Sequence, residues 1–150
     1  MSEPEPVFLV DRDLGSKVVP DALRKAGCTV EVHSDHFDGE APDHEWIRTV
    51  GERGWFVITH DDKIRYNPLT RKAVLERRVG VFIVAVKARA NGALLAKATS
   101  DAVPRMRDLI RRQPRPFFAK VYRDSSVALV ANTPKRMKTC LLYTSPSPRD

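Results

Sequence analysis

Apolar residues in the first 86 positions fall into short blocks separated by helical patterns. Residues 7–10, 55–59 and 81–86 are near-continuous apolar runs, and residues 29–33 alternate. Between them, residues 16–26 carry Val18, Val19, Ala22, Leu23 and Ala26 on one helical side. Residues 43–52 carry Trp46, Ile47 and Val50, and a third helix carries Leu69, Ala73, Val74 and Leu75. Unbroken apolar runs read as strands buried on both faces. Their alternation with helices predicts a parallel sheet built through right-handed crossovers.

The punctuation agrees with these elements. Gly27 and Gly54 are placed to end the first two helices, and Asn67-Pro68 opens the third with an N-cap followed by a proline. After the Asn91-Gly92 turn, Leu94, Leu95, Ala98, Ala102, Met106, Leu109 and Ile110 trace a long helical face that Pro104 should kink or divide. Residues 117–122 and 127–131 read as a closing hairpin. The expected organisation is a disordered lead at 1–6, a single domain at 7–134 and a tail at 135–150. The end of that tail has neither period nor partner and resembles translated adapter sequence, so the tail reads as non-native or disordered.

Composition narrows the class. The chain has 150 residues, 42% of them hydrophobic, and no apolar run near the ~20 residues that span a membrane. Its start, Met1-Ser2-Glu3-Pro4-Glu5-Pro6, is acidic and proline-rich, unlike a secretory signal, so a cytoplasmic location is expected. With only Cys28 and Cys140, and no HExxH among His33, His36, His44 and His60, neither a disulfide framework nor a zinc constellation is expected. The net charge of +7 favours a polyanionic partner.

Against that basic background three acids stand out. Asp11 follows the apolar run at 7–10, Asp61 follows the run at 55–59, and Asp43 opens the helix between them as its expected N-cap. In open α/β sheets ligands bind beyond the carboxyl ends of the strands, where strand order reverses. Converging carboxylates repel one another unless a hard divalent cation such as Mg²⁺ or Mn²⁺ intervenes. Asp11, Asp43 and Asp61 are therefore the expected catalytic metal ligands, with Glu45 as an outer-shell group and Asp62 as an additional candidate. Arg12, Lys63 and Arg65 flank the acidic rim and are expected to contact the phosphates of a polyanionic ligand. Asp13, Asp35, Asp38 and Glu40 read as ordinary loop and cap residues, and Thr59 as a strand residue needing no role in the site.

Asp11-x-x-Leu14-Gly15, Leu23-Arg24-x-x-Gly27, Pro42-Asp43-x-Glu45-Trp46 and Thr59-x-Asp61, in this order, resemble the PIN-like ribonuclease family, and more narrowly its VapC-type toxin subgroup. Pro104-Arg105-Met106 and the segment 117–124 are similar to that subgroup's C-terminal part. The resemblance implies a three-layer α/β/α sandwich with a mostly parallel sheet, followed by a C-terminal helix and β-hairpin. It implies Mg²⁺- or Mn²⁺-dependent cleavage of RNA by acids matching Asp11, Asp43 and Asp61, as the toxin of a type II toxin–antitoxin system. It also implies a cognate antitoxin partner and, as related toxins often pair, a possible homodimer. The family often carries a fourth acid after the next strand. Here that strand leads into Lys87, so three acids suffice or Asp62 or Glu45 supplies the missing oxygen.

Two rival classes fit parts of the pattern. A non-catalytic nucleic-acid-binding module would need only the charge, but leaves the strand-end acids without a purpose. A receiver-type phosphoacceptor domain also collects acids after its first and third strands, with a late lysine that Lys87 would match. Against it, its fifth β-α unit is replaced here by a divided helical face and a hairpin.

Overall fold

The computed structural model describes residues 5–87 and 91–130. The expected tail at 135–150, most of the lead and the end of the expected domain lie outside the described residues. The strands are β1 (Val7–Val10), β2 (Thr29–Val32), β3 (Phe56–Thr59), β4 (Gly80–Ala85), β5 (Phe117–Tyr122) and β6 (Val127–Leu129). The helices are α1 (Val18–Lys25), α2 (Asp43–Arg53), α3 (Pro68–Arg77), α4 (Gly92–Asp101) and α5 (Val103–Arg112).

One sheet runs in the order β2-β1-β3-β4-β5-β6, and every neighbouring pair is parallel except the β5-β6 hairpin. The alternation of side chains along each strand divides the core into two layers. Phe8, Val10, Ile58, Phe82 and Phe117 face a layer with Leu23 of α1, Ala98 of α4 and Met106 of α5. Leu9, Val57, Val81, Ile83 and Phe118 face Trp46, Ile47 and Val50 of α2 and Ala73 and Val74 of α3. This is the expected three-layer sandwich. α2 and α3 lie close because Gly51 offers no side chain: a Cβ there would come within 2.9 Å of the Arg77 carbonyl.

Most punctuation performs as expected. Asn67 accepts hydrogen bonds from the Leu69 and Thr70 amides, at 3.0 and 3.1 Å. Gly54 ends α2 in the left-handed region at φ 75°. Pro104 divides the late helical face, with the break at Ala102 and Pro104 in the first turn of α5. Four details differ. Val18, Ala26 and Leu69 are exposed rather than core-facing, because only part of each apolar stripe meets the sheet. The strand at 29–33 stops at Val32, and His33 begins a 3-10 turn. Asp43 is the first residue of α2, with Pro42 at the N-cap and no side-chain cap bond. β5 is also more than half of a hairpin, since it pairs with β4 along its whole length.

Candidate active site

The chain leaves β1 to form β2 on one side, then returns to form β3 on the other, so strand order reverses between β1 and β3. The Asp11 amide continues the β1–β3 ladder, donating to the Ile58 carbonyl at 2.9 Å. Asp11 and the residues after β3 are thereby held at the switch point, where this class of sheet binds ligands.

Asp11 is 6% exposed. Its Oδ1 accepts from the Arg12 amide at 2.7 Å, and its Oδ2 accepts from the Thr59 hydroxyl at 2.9 Å. Burial and then the charge of Asp13, with Asp43 adding to both, push its carboxyl up to about 6 despite those two bonds.

Asp13 is the acid that the sequence reading passed over. The 3-10 turn Arg12–Leu14 folds it back toward β3. Its Oδ2 lies 3.2 Å from Thr59 Oγ1, and both its oxygens lie 3.2 Å from the His60 amide. Desolvation is the main cause of its raised pKa, and the charge of Asp61 adds to it. Thr59, also assigned no role from sequence, organises the cluster. It donates toward both carboxylates and accepts from the Asp61 amide at 3.1 Å. His60 is anchored by its Nε2, which donates to the Val86 carbonyl at the end of β4.

Asp61 is half-buried and caps the next 3-10 turn, its Oδ1 accepting from the Lys63 amide at 2.9 Å. Asp43 Oδ1 accepts from Trp46 Nε1 at 3.0 Å and lies 3.6 Å from the Arg12 guanidinium. Arg12 also reaches His33 Nε2 at 3.0 Å. His33 is buried edge-on against Trp46. Burial and then the neighbouring Arg12 lower its pKa, so the neutral ring accepts from the guanidinium.

Four further candidates take the following places in the fold. Asp62 forms ion pairs with Arg65 at 2.9 Å and Lys120 at 3.7 Å. Although desolvation pulls the other way, these cations hold its pKa low, which makes it a structural anion. Arg65 is buried, bonded to Asp62 and to the Tyr66 hydroxyl, with its guanidinium over the Tyr66 ring. Glu45 is exposed in the first turn of α2. Lys63 is exposed beside Asp61.

Among the described residues, no three His, Cys, Asp or Glu side chains converge into a group that could hold a metal ion. The close pair is Asp11 and Asp13, with Asp43 and Asp61 near enough to act through charge. A hydroxyl has one proton to donate, so Thr59 satisfies only one of the two carboxylates at a time. Two desolvated acids sharing one donor form an oxygen-only set with unbalanced negative charge. That donor chemistry fits Mg²⁺ or Mn²⁺, because Mg²⁺ is commonly held by one or two carboxylates and keeps several waters.

Residues 6–86, more than half of the chain, match the family described as PIN like domain, and the chain belongs to that family. The match contains every member of the acid cluster and ends before α4. A Mycobacterium tuberculosis (strain ATCC 25618 / H37Rv) protein named "Putative ribonuclease VapC45" is 38% identical over 82 residues. The alignment covers 51% of this chain and 59% of that relative, so the chain spans less than two thirds of the relative's length. No solved structure matches the chain significantly. Family membership sets the receiver reading aside. Among the described residues, no helix is long and apolar enough to cross a membrane.

Proposed function

We propose that the protein is a Mg²⁺- or Mn²⁺-dependent endoribonuclease, the toxin of a type II toxin–antitoxin pair. The observation that carries this reading is the Asp11–Asp13 pair sharing the Thr59 hydroxyl at the switch point. Asp11 and Asp13 would hold the cation, with Asp43 and Asp61 adding negative charge around it. When bound, the cation lowers the pKa of an attacking water and offsets charge developing on the phosphodiester. Thr59 fixes the separation of the two carboxylates. Arg12, oriented by His33 and Asp43, and Lys63 take phosphate oxygens of the RNA. The antitoxin is a separate protein that covers this rim, and pairing of two copies is part of the same reading. The VapC name of the relative supports the toxin assignment.

The lack of a three-carboxylate group among the described residues favours one rival, a module that binds nucleic acid without cutting it. One experiment separates the two. Purified protein is incubated with mixed RNAs and Mn²⁺ or Mg²⁺, with and without chelator, beside Asp11→Asn and Asp61→Asn variants. Chelator-sensitive cleavage that disappears in both variants supports the nuclease. RNA binding without cleavage in any condition supports the rival.

A further inference from the structure

The opposite pole of the sheet carries a different chemistry. A groove of about 1170 Å³ crosses the amino-terminal ends of the parallel strands and is lined by Arg53, Arg77, Arg78, Arg107, Arg111 and Arg115. Glu5 is the one carboxylate among its lining residues. Arg77 pairs with Glu52 at 3.8 Å and Arg111 with Asp108 at 3.4 Å, whereas Arg53 and Arg115 are positioned by neutral partners that leave their charge uncompensated. Arg53 lies over the Trp55 ring at 4.9 Å and Arg115 over the Phe56 ring at 4.8 Å. Arg115 donates to the Gly54 carbonyl at 3.1 Å, and Arg107 donates to the Gly27 carbonyl at 2.9 Å. Arg107 also meets Glu5 at 3.3 Å, so one anionic oxygen already occupies the groove.

We propose that this groove binds the phosphodiester backbone of single-stranded RNA, at a site distinct from the acid cluster. The proposal deepens the reading of RNA as the ligand. Arginine forks match phosphate geometry in a way that lysine does not, and every cation of the groove is arginine. The half-buried Trp55 beneath Arg53 adds the aromatic component typical of single-strand channels. Glu5 occupies a position that a phosphate takes when RNA is bound.

The test measures fluorescence anisotropy of a labelled short oligouridylate on the full chain in chelator, where cleavage is suppressed. The variant Arg77→Gln/Arg78→Asn/Arg111→Gln spares the arginines bonded to backbone carbonyls, and asparagine tolerates the positive φ of 56° at position 78. The groove predicts an affinity loss of about tenfold or more, and a log–log salt slope shallower by about 2 for three lost phosphate contacts. Glu5→Gln should bind more tightly. Unchanged RNA affinity in the triple variant overturns the proposal. So does a Glu5→Gln chain that binds no better, or displacement of RNA by polyglutamate at equal charge, which would assign the groove to an acidic protein. Cleavage is scored separately in Mn²⁺. A chain that cuts RNA while the triple variant binds normally keeps the nuclease and loses the groove, and a chain that binds through the groove without cutting does the reverse.

Discussion

Asp11 and Asp13 depend on a single donor: Thr59 Oγ1 lies 2.9 Å from Oδ2 of Asp11 and 3.2 Å from Oδ2 of Asp13. The arrangement stores repulsion at the rim, because the hydroxyl proton serves only one acid at a time. A proton or a cation relieves it, and the following expectations come from that choice.

Replacing Asp11 should separate stability from activity. The rise of its pKa from 3.8 to about 6 corresponds to about 3 kcal/mol of destabilisation of the ionised form in the metal-free fold. Asp11→Asn should therefore raise the unfolding free energy from chemical denaturation at neutral pH in chelator, by up to that amount. The same variant should lose at least about 100-fold in RNA cleavage, since several kcal/mol of transition-state stabilisation goes with the cation. A variant that is both destabilised and fully active would contradict the assignment.

The pH dependence has a definite sign. A carboxyl whose folded pKa is raised binds its proton more tightly in the native state. Its contribution is fully present below the unfolded value of 3.8 and is lost as pH rises through about 6. Asp13 shifts in the same direction. Denaturation in chelator at about pH 5 and about pH 7.5, on either side of that folded value, should show the chain losing stability from this source as pH rises. The loss should shrink in Asp11→Asn, and an identical pH profile in that variant would count against a buried, raised Asp11.

Thr59 is the residue whose hydroxyl matters most for its size. Thr59→Val keeps the volume but removes the donor to both acids and the acceptor for the Asp61 amide. It should cost about 1–3 kcal/mol through unsatisfied buried groups. It should also move Asp11 further up in pKa, readable by carboxyl NMR titration. Thr59→Ser should restore most of both. Failure of serine to rescue would show that the methyl group, not the hydroxyl, is required.

Arg65 tests the distinction between structural and RNA-facing cations. With its guanidinium held by Asp62 and Tyr66, Arg65→Met should lower stability by about 2 kcal/mol, the range for a charged hydrogen bond. RNA affinity of the folded variant should stay unchanged. Selective loss of RNA binding without loss of stability would return Arg65 to the phosphate-contacting set.

The architecture was legible because local signals agreed with one another. Asn67-Pro68, Gly54 and Pro104 act through backbone geometry that needs no tertiary context, and each appears where the chain spelled it. The strand interiors were equally plain, since Val57, Ile58 and Phe82 are buried from both sides. Element edges were less so: Val18 and Leu69 belong to apolar stripes, but the sheet does not extend far enough to cover them. The site was half legible. Asp11 and Asp61 announce themselves at strand ends, whereas Asp13 enters only because a 3-10 turn folds it back onto the neighbouring strand. The one available hint was the Asp11-x-Asp13 spacing ahead of Leu14, whose burial pulls the turn inward. Thr59 looked like any β-branched strand residue, and Arg65 like a phosphate-facing arginine of the rim, until their partners were placed.

The most direct test of the central claim is calorimetric titration of the intact chain with Mn²⁺ at about pH 7.5 and about pH 5, above and below the raised pKa of Asp11. Saturable binding at the higher pH, weakened at the lower pH and abolished in Asp11→Asn/Asp13→Asn, is the predicted result. Binding that is absent at both values, or that survives unchanged in the double variant, would contradict a cation held at this rim.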